Sequence, residues 1–179
     1  MTGKYLFKSE RLGFRNWQDA DVDKMAAMNS DPGVMEFFPG LQGRQKTEEF
    51  INRMRKQMLD KGYCYFAVDK LEDGTFIGFI GLSGQTFPAA FTPCIDIGWR
   101  LSKKEWNKGY ATEGAKRCLY YGFNELKLKT IHALAPKVNL RSENVMKKIG
   151  MKKISEFVYP LLVNDQRLSE CVLYKIGTV

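Results

Sequence analysis

The sequence predicts one α+β domain over residues 1–179, with strands and helices interspersed along the chain. Three observations carry this. Short β-prone runs bounded by Gly, Pro, Asn or Asp recur between Glu10 and Ile176, and amphipathic helical stripes separate them. No repeat, low-complexity tract or Gly/Ser linker marks a second unit. With 44% apolar and 13% aromatic residues among 179, the chain can fill one substantial core.

The elements follow in order. Residues 10–15 read as a strand, and Asn16-Trp-Gln-Asp19 has the form of a capping box, with Asp19 in the usual Glu or Gln place. This predicts a helix to about Asn29, which Asp31-Pro-Gly33 breaks. Thr47, backed by Glu48 and Glu49, signals a second helix that ends at Lys61-Gly62. Residues 63–71 and 76–83 are β-prone and joined by Glu72-Asp73-Gly74, a hairpin signal.

Beyond Pro88 and Pro93, residues 94–101 alternate Ile95, Ile97, Trp99 and Leu101 against Asp96, Gly98 and Arg100, so this strand has two distinct faces. From Tyr110 to Leu126 the small and apolar residues fall on one helical stripe. Residues 130–135 form a strand, 139–149 a helix closed by Gly150, and 151–159 and 168–176 two final strands around a polar loop. The total is seven strands and four helices.

The longest apolar runs fall far short of the ~20 residues of a membrane span, and the first nine residues lack a signal peptide's apolar stretch, so a cytoplasmic setting is expected. Cys64, Cys94, Cys118 and Cys171 are far apart and His132 is the single histidine, which argues against a zinc site or a disulfide framework. The +8 formal charge suits a phosphorylated cofactor or RNA, and charge alone does not choose between them.

Chemistry concentrates in Trp106-Asn-Lys-Gly-Tyr-Ala-Thr-Glu113, between a strand and a helix. Gly109 and Ala111 let the backbone approach a bulky anion, and the first N–H groups of the helix lack intrahelical acceptors at the positive end of its dipole. Lys108 adds charge. The bland reading is a tight connection with no ligand. Neither Walker A nor Gly-x-Gly-x-x-Gly is present.

In order along the chain, Ile95-Asp-Ile-Gly-Trp-Arg-Leu101, the turn at 106–113, Asn139-Leu-Arg-Ser142 and Val145-Met-Lys-Lys-Ile-Gly-Met151 resemble the GNAT superfamily of N-acetyltransferases. The likeness is nearest to the RimJ/RimL-like branch of ribosomal-protein N-terminal acetyltransferases and includes Glu10-Arg-Leu12 at the front. It implies a twisted, mostly antiparallel sheet whose fourth and fifth strands, here 94–101 and 130–135, splay apart to admit the pantetheine arm of acetyl-CoA. Backbone groups of Trp99, Arg100 and Leu101 would pair with that arm, and Asn107, Lys108, Gly109, Tyr110, Ala111 and Thr112 would hold the pyrophosphate. The family usually begins its turn with Gln or Arg, and this branch often has Gly next. Trp106 and Asn107 stand there, and backbone donors survive both changes.

Asn139 and Ser142 match a pattern associated in this branch with the cofactor sulfur and departing thiolate; both also suit a helix start. Asp96 is the first candidate for the base, because relatives carry a glutamate at the comparable position; its alternative is an ion pair with Arg100 that keeps its pKa low. Glu105 and Glu143 follow it. His132 and Glu113 are read as structural. Met35, Phe37 and Phe38, with the loop 159–167, would meet the acceptor, although the aromatics could equally be a lid packed on the core.

An α-amine of pKa ~7.7 to 8.0 needs only a weak base, and a thiol of pKa ~8.5 leaves without indispensable help. The expected function is acetyl transfer by direct attack of a primary amine, at a peptide N-terminus or on a small molecule, by a monomer or homodimer with no membrane partner and with nucleic acid disfavoured. The alternative is a non-catalytic CoA-binding sensor, or a basic RNA- or ribosome-associated module.

Overall fold

The computed structural model describes residues 3–177. Its strands are β1 (Phe7–Lys8), β2 (Leu12–Arg15), β3 (Tyr65–Lys70), β4 (Phe76–Gln85), β5 (Cys94–Leu101), β6 (Thr130–Pro136), β7 (Lys152–Val158) and β8 (Glu170–Gly177). Its α-helices are α1 (Asp21–Asn29), α2 (Arg44–Lys61), α3 (Tyr110–Tyr120) and α4 (Leu140–Lys148). All the strands join one sheet in the order β1-β2-β3-β4-β5-β6-β8-β7, antiparallel everywhere except between β5 and β6. The count exceeds seven by β1, two residues that pair with Phe14 and Gly13 at the edge.

Helices cover both faces, and the period of two in β4 assigns them. Ile80 points to α3: a Cβ on Gly114 would lie 2.3 Å from its methyl, so that glycine sets how closely helix and sheet approach. Phe79, its neighbour, points the other way and meets Phe50 of α2 at 5.2 Å between ring centroids. Leu12, Phe14, Phe66, Ile77, Leu82 and Ile131 fill the centre with Met25, Ile51, Met54 and Met146 from the helices, all essentially inaccessible. No helix among the described residues is long and apolar enough to cross a membrane.

The β3–β4 hairpin forms as expected, and Gly62 and Gly150 close α2 and α4 with φ of 76° and 86°. The helix starts differ. Asn16 does not cap α1, which begins at Asp21 behind Ala20; the Asp21 carboxylate accepts from the Gln18 amide at 2.8 Å and pairs with buried Arg15 at 2.7 Å. Arg15 also binds Asp69 on β3 at 2.8 Å, so a tertiary charge cluster, rather than a local cap, fixes where α1 begins. Thr47 is not the start of α2. That helix begins at Arg44, and the Thr47 hydroxyl donates to Gly43 O at 3.0 Å while it accepts from Asn29 at 2.9 Å. The third helix loosens after Tyr120 into a π-helical turn, Tyr121–Glu125, where Gly122 packs against Ile131, Leu82 and Leu128.

Candidate active site

The turn before α3 is built from backbone. Gly109 occupies its N-cap position with φ 83°, and Asn107 two residues before has φ 61°. Turns of this kind expose N–H groups in an anion-binding concavity. Glu113 N bonds back to Gly109 O at 2.9 Å, whereas none of the amides of Asn107, Lys108, Gly109, Tyr110, Ala111 and Thr112 donates to a protein acceptor among the described residues. All of these except Lys108 line a cleft of about 450 Å³. The Lys108 ammonium turns instead to Glu105 at 3.0 Å.

A long-range clamp holds the turn in shape. Arg11, just before β2, donates from Nε to Glu113 at 2.6 Å and from Nη1 to Lys108 O at 3.1 Å, and lies over the Tyr110 ring at 4.5 Å. Burial pushes the Glu113 carboxyl up, but hydrogen bonds from Ser9 and from the Arg11 amide and guanidinium outweigh it and hold it below the ordinary value. Trp106 ties the turn to the sheet by donating from its indole to Leu101 O at 2.8 Å.

The other walls come from β5, α4 and the loop after α1. β5 and β6 share one register pair, Asp96↔His132, and form none towards their carboxyl ends. Trp99, Arg100 and Leu101 line the cleft there. Consecutive residues of β5 thus line one cavity where its pairing with β6 has ended. Across the gap, Asn139 caps α4 by accepting from the Ser142 amide at 3.1 Å, so the capping reading holds for it. Both residues also line the cleft, and the Ser142 hydroxyl has no hydrogen-bond partner among the described residues.

Asp96 lies on the α1/α2 side of β5, opposite Ser83, at the closed end of the gap. It is 6% exposed and accepts from the Tyr65 hydroxyl at 2.7 Å. The ion pair with Arg100 does not form. Arg100 reaches away to α1, donating to Asn29 Oδ1 at 2.7 Å, and burial pushes the Asp96 carboxyl up to about 6 rather than leaving it low. Asp96 and Tyr65 are both absent from the cleft wall, and the Tyr65 ring packs on Gly98. Glu105 is engaged with Lys108, and Glu143 with Lys147 and the Tyr174 hydroxyl.

From the loop between α1 and α2, Phe37 and Phe38 line the cleft, while Met35 is 3% exposed and absent from its wall. Arg141 of α4 lies over Phe37 at 5.4 Å and Trp106 at 4.6 Å and pairs with Glu36. From the β7–β8 connection Arg167 donates to Glu36 O at 2.6 Å, so Glu36 joins three segments around the opening. Sequence reasoning missed Tyr65, Arg141 and the clamp function of Arg11. Only Arg11 left a trace, in Glu10-Arg-Leu12, and that motif did not reveal its partner about a hundred residues away. No group of three or more His, Cys, Asp or Glu suited to a metal occurs among the described residues.

Comparison with known proteins bears on this arrangement. The family model described as "Acetyltransferase (GNAT) domain" matches residues 11–152. YkkB of Bacillus subtilis (strain 168) is 31% identical over 174 residues, covering 93% of this chain and 98% of its own. A crystal structure of a GNAT-family acetyltransferase from Bacillus anthracis is 31% identical, with a TM-score of 0.78 over 95% of this chain and 96% of that one. The ribosomal-protein-S5-alanine acetyltransferase of Vibrio fischeri shares the fold at 18% identity, with a TM-score of 0.76 over 96% and 95% of the two chains. A cleft opening where two parallel strands part, beside a helix start whose amides are free, is thus found in a chain that belongs to the GNAT family and is an acetyl-CoA-dependent N-acetyltransferase.

Proposed function

We propose that this enzyme transfers acetyl from acetyl-CoA to a primary amine, at a peptide N-terminus or on a small molecule, by direct attack, and that it belongs to the RimJ/RimL-like branch. The observation that carries the site assignment is the run of six unpaired amides from Asn107 to Thr112 beside the parted strands. A diphosphate satisfies such donors at a helix N-terminus better than water or a neutral ligand does. The likeness to the ribosomal-protein-S5-alanine acetyltransferase extends to the fold alone, and the order of the motifs supports the branch.

Acetyl-CoA supplies an activated thioester; this chain's residues position it and the amine. In this reading the backbones of Trp99, Arg100 and Leu101 orient the pantetheine arm. The amides of Asn107, Lys108, Gly109, Tyr110, Ala111 and Thr112 bind the diphosphate, and Asn139 and Ser142 flank the sulfur. Met35, Phe37 and Phe38 shape the acceptor end. Asp96 takes up the proton, with the Tyr65 hydroxyl as the group through which it passes; a carboxyl pushed up to about 6 is a better-matched base near neutral pH than an ordinary one.

The test is release of free thiol from acetyl-CoA on adding peptides, lysine mimics and small amines to the purified protein. Turnover with at least one class supports the reading. Tight cofactor binding with no turnover across the panel replaces it with a CoA-binding sensor, and salt-sensitive RNA binding without CoA affinity replaces it with a nucleic-acid module.

A further inference from the structure

The acceptor end of the cleft contains a cation with no counter-ion. Arg100 projects from the face of β5 that meets α1 and α2, since its cross-strand neighbour is Phe79 and its Nη1 binds Asn29 at 2.7 Å. Its Nε is buried with no partner, and no carboxylate pairs with its guanidinium among the described residues. The Phe38 ring lies 4.0 Å from its Cζ and the Phe79 ring 5.5 Å away, so its surroundings are aromatic. Burial lowers its pKa to about 10.

A charge so enclosed is costly unless something compensates it. The cofactor's phosphates are poorly placed to do so. The free amides lead into α3, which packs on the opposite face of the sheet, where Ile80 meets Gly114. The rest of the wall does not help either: beside Arg100 it carries Lys148 and Arg141, the latter paired with Glu36, and one carboxylate, Glu105, already bound to Lys108. A cationic acceptor would meet repulsion there, and an anionic one the Nη2 edge of a guanidinium whose Nη1 Asn29 holds and whose Nε is buried.

We propose that Arg100 anchors a carboxylate on the acceptor, so that the preferred substrates are amines that also carry a carboxylate, whether amino acids or short acidic peptides, and that polyamines are excluded. This rests on the acetyltransferase reading above and specifies its substrate class. The backbone of Arg100 faces the cofactor arm while its side chain serves the acceptor, and Phe37 and Phe38 provide the apolar flank between them.

The test uses the full chain with acetyl-CoA and acceptors in matched pairs: amino acids against their amides, and peptides with glutamate against the same peptides with glutamine, with spermidine as the cationic comparator. The acidic member of at least one pair should have a kcat/KM roughly 10- to 100-fold above its neutral twin, and which pair responds distinguishes a small amino acid from a peptide. Arg100→Gln should remove that preference through the acceptor KM, and Arg100→Lys should restore part of it. Equal rates for the twins, preference for spermidine, or an equal loss on both twins in Arg100→Gln would overturn the anchor while acetyl transfer stands. Failure to acetylate any amine would overturn both.

Discussion

The two ends of the cleft are made of different materials. At the end proposed for the cofactor the groups on offer are unpaired main-chain amides around Gly109, held by a clamp from Arg11 and Glu113. At the end proposed for the acceptor they are side chains, Arg100, Phe37, Phe38 and Arg141, contributed by separate segments, with Arg141 and Arg167 tied together at Glu36. Backbone donors persist through changes of side chain, so the amides of this turn do not depend on which side chains stand at Trp106 and Asn107. Side-chain sites offer no such tolerance, so they can diverge between relatives that share the fold.

Substitutions can break this contrast, and the largest effect is expected at the backbone end. Gly109→Asp places a side chain at φ 83° and a negative charge among the free amides; CoA affinity measured by calorimetry should fall about 100-fold or more. Unchanged affinity would remove the diphosphate from this turn. Loosening the clamp should do less. Glu113→Gln weakens the hold on Arg11, and the acetyl-CoA KM should rise about tenfold with the acceptor KM unchanged. A rise confined to the acceptor KM would show that the clamp does not serve the cofactor.

Asp96→Asn separates activity from stability. The carboxyl at about 6 when folded lies above its ordinary 3.8, so the stability it confers is full below about pH 4 and is lost as pH rises through 6. Above that the buried charge costs at most about 3 kcal/mol, which asparagine would avoid while still accepting from Tyr65. The variant should therefore melt at a higher temperature at pH 8 and show no gain at pH 4. Its rate should lose the limb near pH 6, and an unaltered pH–rate profile would take Asp96 out of the reaction. The smallest effect is expected for Ser142→Ala, with kcat about tenfold lower or less and CoA affinity spared, because a thiolate leaves readily unaided.

What was legible in the sequence follows the same division. The hairpin at Asp73-Gly74, the two faces of β5, the glycines closing α2 and α4 and the turn before α3 are local signals, and each appears where the spacing put it. The start of α1 was misread because a distant partner, Asp69, determines how Arg15 and Asp21 pair. Tyr65 beside Asp96 and Asn29 beside Arg100 depend on strand register and helix placement, which no local pattern encodes. The same packing makes Arg100 the partner of Asn29 rather than of Asp96, although Asp96 and Arg100 share one strand face four residues apart.

The most direct test of the central claim is to follow backbone amide chemical shifts by 1H–15N NMR while CoA is titrated into the protein. If main-chain donors hold the diphosphate, the amides of Asn107 to Thr112 should show the largest saturable shifts, and Gly109→Asp should abolish them. Saturation of binding with those amides unmoved, and the large shifts confined to other segments, would contradict it.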